Sequence, residues 1–320
     1  MTKAAAIAGA TGSRLSTIPF SHPDRVPARR NIRRAWHHFW EFKKDKEKTS
    51  EVFRFFEHLP WLDMPERVRQ FLSTEHGQHV FETEPFLPDF LDDHEMLRRE
   101  YPAGTLARDY CDYMESEGLS AAGLVAEYDD FRGERPRLDD QIEWYADRLR
   151  DTHDLLHLLT TIGRDTLGEQ ALGAFVFKQR PSHGHLILGY AGAAVIKANV
   201  KTKAPVMRAI HDCKQAGKAC KPIAEQSIRD LLAMTIEEAR AFLDIQPVAW
   251  YQKCQSIWAE EGIDPLKILA DDAKASVYRE DIYREDNVPS PDALSKGPSV
   301  FAMDGETAQV ERAGNERERA

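Results

Sequence analysis

Cysteine is scarce. The four in 320 residues, Cys111, Cys213, Cys220 and Cys254, form no Cys-x-x-Cys pair and no regular framework. That excludes a cysteine-rich zinc module or a disulfide-stapled fold, and it implies a reducing compartment. Long apolar runs are missing as well. None approaches the roughly 18 residues needed to span a bilayer, so membrane association is expected to be peripheral. Positive charge is in deficit, 43 Lys and Arg against 53 Asp and Glu, and the net charge of −10 argues against a general nucleic-acid binder. There is no nucleophile-elbow sequence and no internal repeat. Gly9-Ala10-Thr11-Gly12 is followed by no βαβ alternation, so neither serine hydrolysis nor a dinucleotide fold is supported. What the chain does have is 42% hydrophobic content, enough for one large domain with extensions.

Apolar residues recur at helical spacing almost throughout, so the expected class is mainly α: a single helical domain built around a helix pair. Helices are expected at 51–58, 64–73, 105–117, 138–162, 166–179, 186–198, 225–232, 235–243 and 248–260. Thr235 and Glu238 form a capping box at the start of one of them. Three parts follow: a basic extension over 1–49, the helical domain over 50–265, and a tail over 266–320 that reads as mostly disordered. Met1 to Lys48 holds eleven Lys and Arg against four Asp and Glu. Its first thirty residues, rich in Pro, Ser, Thr and Arg, are expected to be disordered, and they also fit an organellar leader. Within Asn31–Lys48, Trp36, Phe39, Trp40 and Lys43 follow helical spacing. These rings either lie on an anionic lipid surface or pack on the domain.

The run Asp151-Thr152-His153-Asp154-Leu155-Leu156-His157 carries the chemistry, with Glu169 downstream. At about 100° per residue, His153 falls about 20° from Ile142, inside the stripe of Ala146, Leu149, Leu156 and Thr160. His153 is therefore expected at the centre of a buried face. His157 is one turn on, so both imidazoles can converge on one ion. Asp154 points about 100° away, and it can be a ligand, an acceptor for an imidazole N–H or a general base. Gly163 and Gly168 break the chain, and Asp165 or Thr166 caps a second helix that brings Glu169 back to the histidines. The alternative is two hydrogen-bonded core histidines with a solvated first-turn acid. His153, Asp154, His157 and Glu169 together favour a metal site, and these ligand types suit zinc or iron(II).

The stretch Arg148-Leu149-Arg150-Asp151-Thr152-His153-Asp154-Leu155-Leu156-His157, with Leu167-Gly168-Glu169, resembles the signature of the ubiquinone-biosynthesis family known as coenzyme Q protein four. Tyr101-Pro102-Ala103-Gly104-Thr105-Leu106-Ala107-Arg108-Asp109-Tyr110 is similar to a second family segment, and Arg135-Pro136 with Asp139-Asp140 to a third. The likeness covers about residues 50 to 260. It departs at Arg180-Pro181-Ser182-His183-Gly184-His185, where the family has a Gly-Leu-Pro-like stretch. The resemblance implies zinc and a role in oxidative decarboxylation of a polyprenylated aromatic precursor, the ring carboxyl being replaced by hydroxyl. It also implies partners among the other ubiquinone-biosynthesis enzymes. The alternative is a non-catalytic, metal-stabilised lipid-binding scaffold for those enzymes. Asp154 and Arg150 are the residues expected to act on substrate, Arg150 by reaching its carboxylate or by pairing with Asp154. The expected location is the cytoplasmic face of a bacterial inner membrane, or the matrix face of the mitochondrial one if the N-terminus is a leader. A homodimer is compatible with the sequence.

Overall fold

Ser13 opens the described part of the chain; the structure, a computed structural model, describes residues 13–44 and 49–268, and among them there is no strand. The short α1 (Arg14–Thr17) leads into extended chain that lies on the start of a later helix. Arg25 makes a two-pronged bond to Asp140, Nε–Oδ2 at 2.6 Å and Nη2–Oδ1 at 2.7 Å, and the His22 and Gln141 amides donate to Asp140 and to the Pro19 carbonyl. The expectation of disorder over the first thirty residues therefore fails from Ser13 onward. A buried charge pair and two backbone bonds supply what the apolar content does not. Residues 1–12 and the tail from 269 lie outside the described residues.

The helical hairpin α2 (Ile32–Lys44) and α3 (Thr49–Glu57) comes next. Ala35 and Phe39 of α2 pack on Phe55 and Leu59. Ile32, Trp36 and Trp40, each one turn apart, stay 72%, 51% and 41% exposed. The aromatic segment thus divides: one face packs on the domain and the other meets solvent. Then follow α4 (Met64–Leu72), α5 (Glu75–Thr83), α6 (Pro88–Leu91), α7 (His94–Glu100), α8 (Leu106–Glu117) and α9 (Ala121–Arg132). Gly118 ends α8 in the left-handed region at φ 65, where a residue without Cβ is unstrained.

The central helices are α10 (Gln141–Asp151), α11 (His153–Thr160) and α12 (Thr166–Val176). The single helix expected over 138–162 is two, jointed at Thr152 with ψ near 5°. The Thr152 hydroxyl donates to the Arg148 carbonyl at 2.8 Å, and Arg180 donates to the Leu149 carbonyl at 3.2 Å, so side chains occupy carbonyls at the joint. Around this pair pack α13 (His183–Asn199), α14 (Val206–Ala219), α15 (Ile228–Leu232), α16 (Ile236–Leu243) and α17 (Ala249–Glu261). The capping box at Thr235 and Glu238 forms as expected.

The main core joins Leu155, Leu159, Leu172, Phe175, Ile210 and Trp258, and each such side chain removed from water contributes about 1.5–3 kcal/mol. Where α12 crosses α14 the backbones nearly touch: a Cβ on Gly217 would sit 2.0 Å from the Phe175 carbonyl oxygen. All four cysteines are free and buried. The helices α1, α5, α6, α7, α9 and α14 were not read from the sequence.

Candidate metal centre

The loop between α11 and α12 decides where Glu169 goes. Asp165 caps α12, its side chain accepting from the Leu167 and Gly168 amides. Its second oxygen accepts from the Tyr251 hydroxyl and from Gln255 Nε2, while the Gly163 amide donates to the Tyr251 oxygen at 2.9 Å. Arg240 donates to the Leu159 carbonyl at 2.8 Å, placing positive charge at the C-terminal end of α11. The turn is thus held from α16 and α17, and α12 runs back along α11. Sequence reasoning missed Tyr251 and Arg240, because each meets its partner across more than eighty residues.

Four predicted residues come together. His153 Nε2 and His157 Nε2 are 3.2 Å apart, their ring planes crossing at 84°. Glu169 bridges them, with Oε2 at 3.5 Å from His153 Nε2 and Oε1 at 3.4 Å from His157 Nε2. Donor atoms of His153, Asp154 and His157 all lie within 4.8 Å of one another. Partial burial pushes the Glu169 carboxyl up, but His153 and His157 beside it outweigh that, leaving the group well below the usual carboxylate range. For His157, burial works against protonation, and the Glu169 bond and charge overcome it, so that imidazole is raised.

The residues fit a divalent ion. His157 Nδ1 lies 2.9 Å from the Ile162 carbonyl oxygen, which can only accept, so the proton belongs on Nδ1 and the Nε2 lone pair is left for a metal. Two imidazole nitrogens with two carboxylates suit zinc, or iron(II) with positions open. The centre also has an open side, since the His153 and Glu169 side chains are 29% and 44% exposed.

Two expectations need correction. His153 is half-buried rather than central to a buried stripe, because the joint at Thr152 turns α11 away from the direction extrapolated along α10. Arg150 does not pair with Asp154. Its buried guanidinium bonds Asp147 at 3.1 Å and Asp151 at 2.6 Å, because the arginine stays on the α10 side of the joint with its own helix's acids. Arg148 is buried too, donating to Glu84 at 2.8 Å and to the Ala224 and Gln226 carbonyls, so neither arginine is a solvated surface charge.

No curated protein matches the sequence. A solved structure from Nostoc punctiforme PCC 73102, described as that of a ubiquinone biosynthesis protein, is similar with 18% identity and a TM-score of 0.47. The match covers 68% of this chain and 99% of that one. The family model for coenzyme Q (ubiquinone) biosynthesis protein Coq4 matches residues 63–249, more than half of the chain, and that span contains His153, Asp154, His157 and Glu169. On that match, the chain belongs to the Coq4 family of ubiquinone biosynthesis proteins.

Proposed function

We propose that this chain holds a divalent ion, zinc in first place and iron(II) in second, between His153, Asp154, His157 and Glu169, and replaces the ring carboxyl of a polyprenylated aromatic precursor by hydroxyl. The observation that carries the reading is the convergence of both Nε2 atoms and the Glu169 carboxylate on one point with an open side. A bound ion would supply Lewis acidity, and iron would add redox capacity. The reaction takes the aromatic acid, dioxygen, two electrons and two protons to the phenol, carbon dioxide and water. Dioxygen is the oxidant, and a two-electron reductant must be supplied from outside this chain. Asp154 is 8% exposed and, unlike Glu169, is in no ion pair among the described residues, so its carboxylate is left to turn towards the ion. Arg150 acts through Asp147 and Asp151, fixing the end of α10 next to the histidine helix.

No described helix is long and apolar enough to cross a membrane. The exposed stripe of Ile32, Trp36 and Trp40, with exposed Arg29, Arg30 and Arg33 near its start, supports peripheral attachment to an anionic lipid surface. That is where a polyprenyl substrate and the other pathway enzymes would be met.

The test uses full-length protein purified without added metal. Stoichiometric metal that is lost on chelation, and lost in His153→Ala and His157→Ala, is expected; full metal content in both variants would remove the centre. Loaded protein given a carboxylated prenylphenol, dioxygen and a reductant should then release carbon dioxide. Stoichiometric lipid binding without carbon dioxide would instead make the chain a scaffold.

A further inference from the structure

The Tyr101–Tyr110 segment, which resembles a family motif, has no role in the site described so far. Its last residue lies on α8, which packs on α11. Tyr110 is 1% exposed, and its hydroxyl makes no hydrogen bond. One turn on, Tyr113 is half-buried; its hydroxyl is itself shielded from solvent and makes none either. Both phenols are pushed up, first by burial and then by carboxylates. Asp92, Asp154 and Asp151 act on Tyr110, and Asp154 heads the charges on Tyr113. Arg164, from the loop before α12, opposes the effect on Tyr113, and Glu127 of α9 also feels Asp154.

Asp154 is therefore the metal-site acid that both tyrosines share. It accepts no hydrogen bond among the described residues, whereas Asp92 is already taken by the Ala121 and Ala122 amides at 2.7 and 2.8 Å. A carboxylate without a donor stands on α11, and two shielded donors without an acceptor stand on α8, which packs against it. Buried polar groups left unmet in this way are costly, and carboxylates that ligate a metal are in turn hydrogen-bonded by outer groups.

We infer that Tyr110 and Tyr113 are positioning residues of the metal centre, whose hydroxyls donate to the Asp154 carboxylate in the ion-loaded protein and fix the oxygen it turns towards the imidazoles. The inference rests on the metal-centre reading and goes beyond it. It gives the Tyr110 segment a task, and it makes Asp154 a ligand held from behind.

The experiment compares wild type, Tyr110→Phe, Tyr113→Phe and His153→Ala in three readouts: zinc affinity by chelator competition, the absorption spectrum of the cobalt-substituted protein, and the Tm of the metal-free form. Each Tyr→Phe change should weaken zinc about tenfold and shift the cobalt bands. The metal-free Tm should stay equal or rise, because an unmet hydroxyl has been removed. That pattern in either variant establishes the role for that residue. Unchanged affinity and spectrum in both overturn the inference while the centre stands. Weaker zinc accompanied by a lower metal-free Tm overturns it in favour of a packing role. Wild type binding no better than His153→Ala would remove the centre, and the inference with it.

Discussion

Replacing Arg148 by Met should destabilise the protein severely while leaving the metal ligands in place. The guanidinium is buried, and it donates to Glu84 at 2.8 Å, to the Ala224 carbonyl at 2.9 Å and to the Gln226 carbonyl at 2.8 Å. Burial lowers its pKa, and the Glu84 charge is the main force restoring it. Glu84 is equally buried and also accepts from Ser227 Oγ and from the Ile228 and Arg229 amides at the start of α15. Removing one partner of such a pair leaves the other charge buried and uncompensated, which costs about 3–5 kcal/mol. A domain's whole stability is about 5–15 kcal/mol. Glu84 keeps three donors after Arg148→Met, so that variant should fall near the lower end. Glu84→Gln leaves a buried cation facing only neutral acceptors and should fall near the upper end. The double change Arg148→Met with Glu84→Leu should cost less than the two single changes added together, because no lone charge remains. Urea unfolding followed by circular dichroism measures all three. An Arg148→Met protein within about 1 kcal/mol of wild type, with an unchanged slope, would refute the reasoning.

Gly168→Ala should cost about 1–3 kcal/mol and weaken metal binding, because a Cβ there would sit 1.8 Å from the Gly163 carbonyl oxygen and force open the turn that aims Glu169; wild-type Tm and zinc affinity would contradict this. Burial, ahead of the charge of Asp147, pushes Glu143 up to about 7 from its ordinary 4.5. Its contribution, about 3 kcal/mol by linkage, is therefore full below pH 4.5 and is lost as pH rises through 7. Glu143→Gln should flatten that slope in denaturant titrations, and an unaltered slope would count against it. Trp36→Ala with Trp40→Ala should lower co-sedimentation with anionic vesicles and leave Tm nearly unchanged, whereas equal binding would move the membrane contact elsewhere.

The convergence of His153, His157 and Glu169 was legible because its information is local. Two histidines four apart need only the period of a helix, and Glu169 needs only a glycine-marked turn to come back along it. The joint was not legible. Its hydrogen bonds come partly from Thr152 itself but also from Arg180, thirty-one residues from the carbonyl it caps. Extrapolating one straight helix through it misplaced His153 and turned Arg150 towards the wrong acid.

The larger blind spot is α10. Every residue from Gln141 to Asp151 is buried, although Glu143, Asp147, Arg148, Arg150 and Asp151 are charged. A helix so polar reads as half-solvated by its hydrophobic pattern. It is interior because partners arrive from outside the helix: Arg25 at its capping Asp140, Glu84 at Arg148, and Arg137 at Asp147 at 2.6 Å. The same physics helps to explain why the N-terminal segment is ordered, since Asp140 pairs with Arg25 while Leu15, Ile18 and Phe20 pack on the domain. Buried ion pairs give modest net stability but a heavy penalty for mispairing, and here they fix the register of the helix that leads directly into His153. The placing of His153 therefore rests on a charge lattice with no periodicity in the sequence, and variants in that lattice should disturb the proposed metal binding only to the extent that they move Thr152.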